Sequence, residues 1–406
     1  MRQILAHYLV LENKVSSTPT FTVLLPAKGR PDLVRDALVS VLDQSFRDFE
    51  VIISNNGADP NIHAAIAEKL GDPRVRYLEQ PAVLAMPEHW EQISRLARGR
   101  YLTVVTDRSV LMQEALATIA DAHVRGGTDA EIVTWPWYLY RNEFRLLQFF
   151  SGGLPKNQVA LGSRTVLDSE ALLLGSRRFS SPYPTAFPFG YNSTVSAALI
   201  SAIRNNAGAA FLPLTPDFSF AYACLLSRRC LTYLNQPLVI SQEPRLSNGR
   251  SAGFSDATSY LATLGIADPI SHSPIKAPLV ENIIAEDFLS ACHRFKRLDI
   301  LARLDRSDLY LKCLDEMDIK QAAGQLPPAR MAELFHAIET ALAQESAECQ
   351  ARVKAVRQGI KIRVHRTARR LLATHANPLR PLLIRLLRGG KRFESALQAA
   401  GHQEAR

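Results

Sequence analysis

YLTVVTDRSVL (residues 101–111) is the stretch whose reading decides the fold of this chain. Leu102, Val104 and Val105 mark a buried strand that breaks off at Thr106-Asp107-Arg108. A carboxylate at the carboxyl end of a parallel strand stands where such sheets bind ligands. The plain alternative is a helix cap, because Asp is a favoured N-cap and residues 111–124 read as helical. The sequence upstream decides between the two.

There, strand and helix signatures alternate. FTVLL (21–25) is a short apolar run ended by Pro26 and a turn-rich loop, and residues 32–42 place Leu33, Val34, Ala37, Leu38, Val41 and Leu42 at helical spacing. FEVII (49–53) is a second strand closed by Ser54-Asn55-Asn56-Gly57, all turn formers. A helix over 62–70, a strand over 75–78, a helix over 87–97 carrying Trp90 and the strand at 101–105 follow. Such alternation implies right-handed crossovers and a mostly parallel sheet with helices on its faces, an α/β fold.

Beyond a strand at 132–134 the text changes. WPWYLYRNEFRLLQFFSGGLPKN (135–157) reads as mixed strand and loop, and 179–191 is a rigid, proline-bearing aromatic segment. Residues 194–206 read as helix, 211–216 as extended, and 217–227 as helix with Asp217 at its N-cap. One or two strands over 231–241 and a polar loop, RLSNGRSAG (245–253), close this part. From about 273 the periodicity is helical throughout, at 280–304, 309–317, 331–342 and 351–372, with breaks at Pro327-Pro328 and Pro378. The expected organisation is an arm (1–20), an α/β domain (21–255), a helical extension (273–348) and a basic amphipathic tail (349–406).

Composition narrows the class. With 406 residues, 47% of them hydrophobic, the chain can bury more than one core. Five scattered cysteines without a C-x-x-C pair speak against a disulfide framework or a zinc site and for a reducing, cytoplasmic compartment. The first 15 residues have a short apolar run but no small-residue cleavage site, and no uncharged apolar stretch reaches membrane-spanning length. The net charge of +9 comes from the tail: residues 352–392 hold 13 Lys or Arg and no Asp or Glu, leaving the remainder at −4. Val353, Val356, Ile360, Val364 and Leu371 recur at helical spacing among these cations, a pattern suited to an anionic membrane surface on the inner face of the membrane or to a partner helix. Nucleic acid is the least favoured partner, since no nucleic-acid motif accompanies the charge.

Four blocks together resemble the family 2 glycosyltransferases, which have the nucleotide-sugar-binding GT-A fold: residues 21–59, residues 77–105, Thr106-Asp107-Arg108, and residues 211–252. The resemblance implies a nucleotide-sugar donor, with nucleoside contacts falling on Pro26, Ala27, Lys28 and Arg30 and base recognition near Asn55 and Asn56. It implies an Asp-x-Asp metal site at Asp107 and a catalytic base at Asp217. It also implies inverting transfer to a hydroxyl of a glycan or lipid-linked acceptor, as in surface-polysaccharide synthesis. Two positions depart from the pattern. Asn55 replaces an Asp, keeping an amide that both donates and accepts. The second carboxylate of Asp-x-Asp is missing, so the expected Mg²⁺ or Mn²⁺ is held weakly through Asp107 and the donor diphosphate, or is replaced by the fixed charge of Arg108. Two other readings stay open: a nucleotide-sugar-binding relative without turnover, and an adaptor acting through the basic tail.

Lesser candidates have structural alternatives. Asp59 reads better as a helix cap than as a ribose contact, and Trp90 better as core than as a ligand platform. Trp135, Trp137, Tyr138 and Tyr140 suit either a sugar platform or an aromatic rim, and residues 247–250 either a lid or a plain connection.

Overall fold

The structure is a computed structural model, and it describes residues 9–12, 18–127, 130–141, 145–150, 162–175, 184–211, 213–242, 256–322, 324–358, 391–392 and 395–402. These divide into two compact units: one formed by residues 1–173, 184–244 and 391–406, the other by 174–183 and 245–390.

The first unit is built on a sheet whose centre is parallel. Strands β2 (Phe21–Ala27), β3 (Phe49–Asn56), β4 (Val75–Gln80) and β5 (Tyr101–Val104) lie in the order β4-β3-β2-β5, all parallel to one another. Every residue of β2 and β3 is buried, which is why both read as unbroken apolar runs rather than alternating ones. Helices α1 (Pro31–Leu42), α2 (Pro60–Ile66) and α3 (Met86–Ser94) make the crossovers. Pro26 lacks an N–H for the ladder, yet it is tolerated inside β2 because pairing to β5 stops at Leu24 opposite Val104. Beyond β5 the sheet turns mixed: β11 (Ser193–Ser196) runs antiparallel to β5, with β7 (Ile132–Thr134), β12 (Cys230–Leu234) and β10 (Arg164–Asp168) outside it. On the opposite edge β1 (Leu9–Glu12) pairs antiparallel with β4.

A second sheet in the same unit has the order β14-β9-β8-β13-β6, from Lys391–Arg392, Leu146–Phe150, Trp137–Arg141, Val239–Gln242 and Ser109–Leu111. The structure corrects the sequence reading at three places in this unit. Leu111 belongs to β6, and the helix expected from 111 starts only at Ala115 (α4, Ala115–Gly126). Asp107 therefore cannot be that helix's cap, since a strand separates them. Residues 194–196 are strand, with helix α6 (Ala197–Ala207) following and capped by the Ser196 hydroxyl. In both cases a β-branched or apolar triplet was absorbed into an adjoining amphipathic pattern, an ambiguity that short apolar runs carry by nature. Helix α7 runs Pro216–Ser227 with Thr215 at the N-cap, so Asp217 lies in the first turn rather than at the cap.

The second unit is helical: α8 (Thr258–Thr263), α9 (Val280–Arg294), α10 (Leu298–Ala302), α11 (Ser307–Ala322), α12 (Pro328–Ala343) and α13 (Ala347–Gln358). The single helix expected over 280–304 is broken after Arg294, where Lys296 takes a left-handed backbone (φ 57°). Helix α9 buries Ile283, Ile284, Phe288 and Cys292, and α11 buries Leu309, Tyr310, Cys313 and Met317. No described helix is long and apolar enough to cross a membrane. The proposed lid at 247–250 and the tail from 359 to 390 lie outside the described residues. Residues 391–402, by contrast, lie with the α/β unit.

Candidate active site

The carboxyl ends of β2, β3 and β5 face the same edge of the sheet, and the candidate residues cluster there because each follows one of these strands. After β2 come the exposed Lys28 and the partly open Arg30; Pro26 and Ala27 themselves are buried within the strand. Arg30 stands at the N-cap of α1 with a left-handed backbone (φ 56°, ψ 56°), a conformation that costs a side-chain-bearing residue energy unless the surroundings hold it. What holds it is visible: Arg30 Nη2 lies 2.7 Å from Asp107 Oδ2.

Asp107 sits in the tight turn that joins β5 to β6. Ser109 N–H donates to Thr106 O at 2.8 Å, and the Thr106 and Ser109 hydroxyls meet at 2.7 Å. The Asp107 carboxyl is buried, which pushes its pKa up, and the charges of Arg30 and Arg108 pull it back down. Arg108 also acts on a second carboxyl. Asp217, held in the first turn of α7, is crowded by protein atoms and has its pKa raised by burial. Backbone N–H groups, including that of Phe218 at 3.0 Å, and the charge of Arg108 offset part of that rise. Tyr191 completes the group. Burial and then the neighbouring Asp217 push its phenol above the usual range, and Arg108 opposes them. Arg30, Asp107, Arg108, Asp217 and Tyr191 thus form one electrostatically connected cluster.

Residues at the end of β3 are brought to the same edge, with their amides already engaged. Asn55 is fully buried; its Nδ2 donates to Asp59 O and Tyr77 Oη, both at 2.9 Å, and its Oδ1 accepts from Asp59 N at 3.1 Å. Asn56 pairs twice with the backbone of Leu84, at 3.0 and 2.9 Å. The two side chains therefore shape loops 56–59 and 81–85. Asp59 accepts from Asn61 N at 2.9 Å, a helix cap as its position suggested. Trp90 is core, edge-on to Phe211, and Trp135 is fully buried. Trp137 packs edge-on against Phe189 and Tyr191, which links the aromatic segment to the charged cluster.

Two residues near the cluster were not singled out from sequence. His89 projects from α3 to Ser54 Oγ at 2.7 Å, and burial plus the charge of Lys28 lower its pKa to about 4, so it is neutral at physiological pH. Tyr191 is set by Gly190, whose φ of +86° lets the chain turn so that Gly190 O accepts from Val104 N at 3.0 Å; a Cβ there would meet Val104 at 3.3 Å. Glycine before tyrosine in PFGYN (188–192) was the available signal.

The divalent ion that the resemblance implies would be held by Asp107 together with the oxygens of the donor diphosphate. Asp107 is engaged by Arg30 and flanked by Arg108, and the described residues bring together no group of three His, Cys, Asp or Glu able to hold an ion. Fixed cations flank the carboxylate, and the further oxygen ligands of a metal site would come from the donor.

The model for glycosyl transferase family 2 matches residues 22–178. Among solved structures, S. aureus TarS is 13% identical with a TM-score of 0.42 over 79% of this chain, which spans 53% of that protein's length. The TarS fragment 1–349 in complex with UDP-GlcNAc is 16% identical (TM-score 0.45), with 80% of this chain and 92% of the fragment covered. The mannosyltransferase PcManGT from Pyrobaculum calidifontis, in complex with GDP-Man and Mn²⁺, is 14% identical (TM-score 0.45), with 91% and 88% covered. The match to the glycosyl transferase family 2 model falls on residues 22–178, the part of the chain that carries the parallel strands of the α/β unit.

Proposed function

We propose that this chain transfers a sugar, with inversion, from a nucleotide-sugar donor to a hydroxyl group of a glycan or lipid-linked acceptor. The observation that carries the reading is the cluster itself: Arg108 acts on both Asp107 and Asp217, joining a carboxylate suited to base catalysis to fixed cations suited to a diphosphate. In this reading Asp217 accepts the acceptor's proton as its oxygen attacks the anomeric carbon from the face opposite the leaving group. The bond from that carbon to the diphosphate oxygen breaks in the same displacement, and the electron pair leaves with the nucleoside diphosphate. Arg108, Arg30 and Lys28 stabilise the departing charge, work that donors fixed in a low-dielectric site perform well. The raised pKa of Asp217 makes its carboxylate a stronger base than an exposed one.

Pro26, Ala27, Asn55 and Asn56 belong to the donor side as walls and loop anchors, and Asp107 orients Arg30. Surface-polysaccharide synthesis at the inner face of the membrane, with residues 352–392 as the membrane contact, is the setting this reading favours. The engaged Asp107 favours one other reading, a donor-binding relative without turnover. Replacing Asp217 by Asn separates the two. Transfer is expected to fall by roughly 10²–10⁴-fold with donor binding retained. The same variant raises stability near neutral pH: a carboxyl whose pKa is raised in the folded state favours folding only while protonated, a contribution lost as pH rises. Binding without transfer in the unaltered chain, across a broad acceptor panel, would support the relative instead.

A further inference from the structure

Arg30 and Asp107, the pair at the centre of the site, sit on two elements that run away from it together. Arg30 caps the start of α1, and Asp107 precedes β6. Helix α1 is 12 residues long, about 18 Å at the rise of an α-helix, and Asp43 ends it. Along the way α1 and its C-terminal turn are tied to β6 and the residues after it: Leu111 N donates to Ser40 Oγ at 3.1 Å, and Gln44 Nε2 donates to Met112 O at 2.9 Å.

At the far end one side chain spans both elements. His402 is buried, with Nδ1 2.7 Å from Asp43 Oδ2 and Nε2 2.7 Å from Leu111 O. A carboxylate and a carbonyl both accept, so holding both contacts at once needs an N–H on each ring nitrogen. The segment that brings His402 there is anchored by its own small core. Ala396, Leu397 and Ala400 pack with Val110, Tyr140, Leu147 and Ile240, and Ala400 O accepts from Gln113 N at 3.3 Å. Ser395 caps the short helix Ala396–Ala399 by accepting from Gln398 N. Val110 is thus gripped through its side chain and Leu111 through its carbonyl, three and four residues after Asp107.

We infer that residues 395–402 are a clasp that fixes α1 against β6, and that His402 is a positioning residue for the Arg30–Asp107 pair at their opposite ends. The structural part stands on the contacts above; its consequence for donor phosphate rests on the proposed glycosyl transfer. The clasp joins the α/β unit to a part of the chain some 290 residues after the loop it braces, so the site depends on sequence far outside the matched family segment.

Hydrogen exchange on the full chain tests the clasp without any ligand. In His402→Ala the amides of Val110, Leu111, Leu33 and Val34 are expected to exchange faster, with β3 and β4 unchanged. Loosening confined to 395–402 would overturn the proposal. Asp43→Ala, at a half-exposed side chain, gives the same test if the first variant folds poorly, and Asp43→Asn, which keeps an acceptor, is expected to restore protection. Titration with uridine and guanosine diphosphates then reads the consequence: roughly three- to tenfold weaker binding in His402→Ala, with uridine and guanosine themselves unaffected. The effect is expected to be non-additive with Arg30→Ala although the two residues do not touch. Equal loss for nucleoside and diphosphate, or strict additivity, would refute the positioning role. If the unaltered chain bound neither diphosphate, the donor-site reading would fail while hydrogen exchange still decided the clasp.

Discussion

Two arginine–carboxylate pairs in the α/β unit sit on opposite ends of the same parallel sheet. Glu50 and Arg76, near the starts of β3 and β4, are both buried, with Nη1 3.0 Å from Oε2. Glu50 also accepts from Thr22 Oγ1 and from Arg98 N, each at 2.7 Å, and Arg76 Nη1 donates to Leu96 O at 2.9 Å. Arg30 and Asp107 sit beyond the carboxyl ends. There the arginine is a third exposed, stands on a strained backbone, and leaves its carboxylate with a raised pKa. A buried pair held by further backbone and hydroxyl partners holds a fold together; a pair with an open cation at a strand end is available to a ligand.

The contrast can be broken by substitution. Arg76→Leu would strand Glu50 in the core, and a loss of about 3–5 kcal/mol in unfolding free energy by chemical denaturation is expected. If it cost little, Glu50 and Arg76 would not be the structural pair described. Arg30→Ala should act the other way round. Transfer should fall about 100-fold, as for loss of a fixed donor to developing charge, with a smaller drop in melting temperature than Arg76→Leu gives. A variant that unfolds without a specific catalytic defect would place Arg30 with the structural pair. The smallest effect belongs to Asp59→Ala, about 1 kcal/mol of stability from a lost cap and little change in donor affinity. A large affinity loss there would restore the ribose contact set aside above.

The buried end of the sheet was legible in the sequence and the open end only in part. β2, β3 and β5 announced themselves as apolar runs because burial on both faces leaves no polar alternation to hide them. Asp107 stood out because a residue that follows such a strand is fixed to one edge by the parallel connection, whereas Lys28 and Arg30 were singled out by the resemblance. Asp217 was expected at the cap of its helix and lies two residues past it, in the first turn. What stayed hidden depends on distance in the chain. β6 and β11, three and four residues long, carry too little pattern to stand apart from the helices after them. That the charge of Arg108 reaches Asp217 and Tyr191 depends on residues brought together from distant parts of the chain, which no local spacing encodes. His402 lies in a stretch without catalytic pattern, and only its two contacts across 291 and 359 residues reveal it.

Arg108 is the residue that unites the site, so the pH profile of transfer in Arg108→Gln against the unaltered chain tests the account most directly. Burial raises the Asp217 pKa and Arg108 lowers it, so the acid limb of the unaltered chain should lie above the usual carboxylate range, with activity falling as pH drops through it. Removing the Arg108 charge should move that limb to higher pH and lower the plateau. An acid limb that stays in place, or moves to lower pH, would contradict the coupling of Arg108 to Asp217 and with it the proposed base.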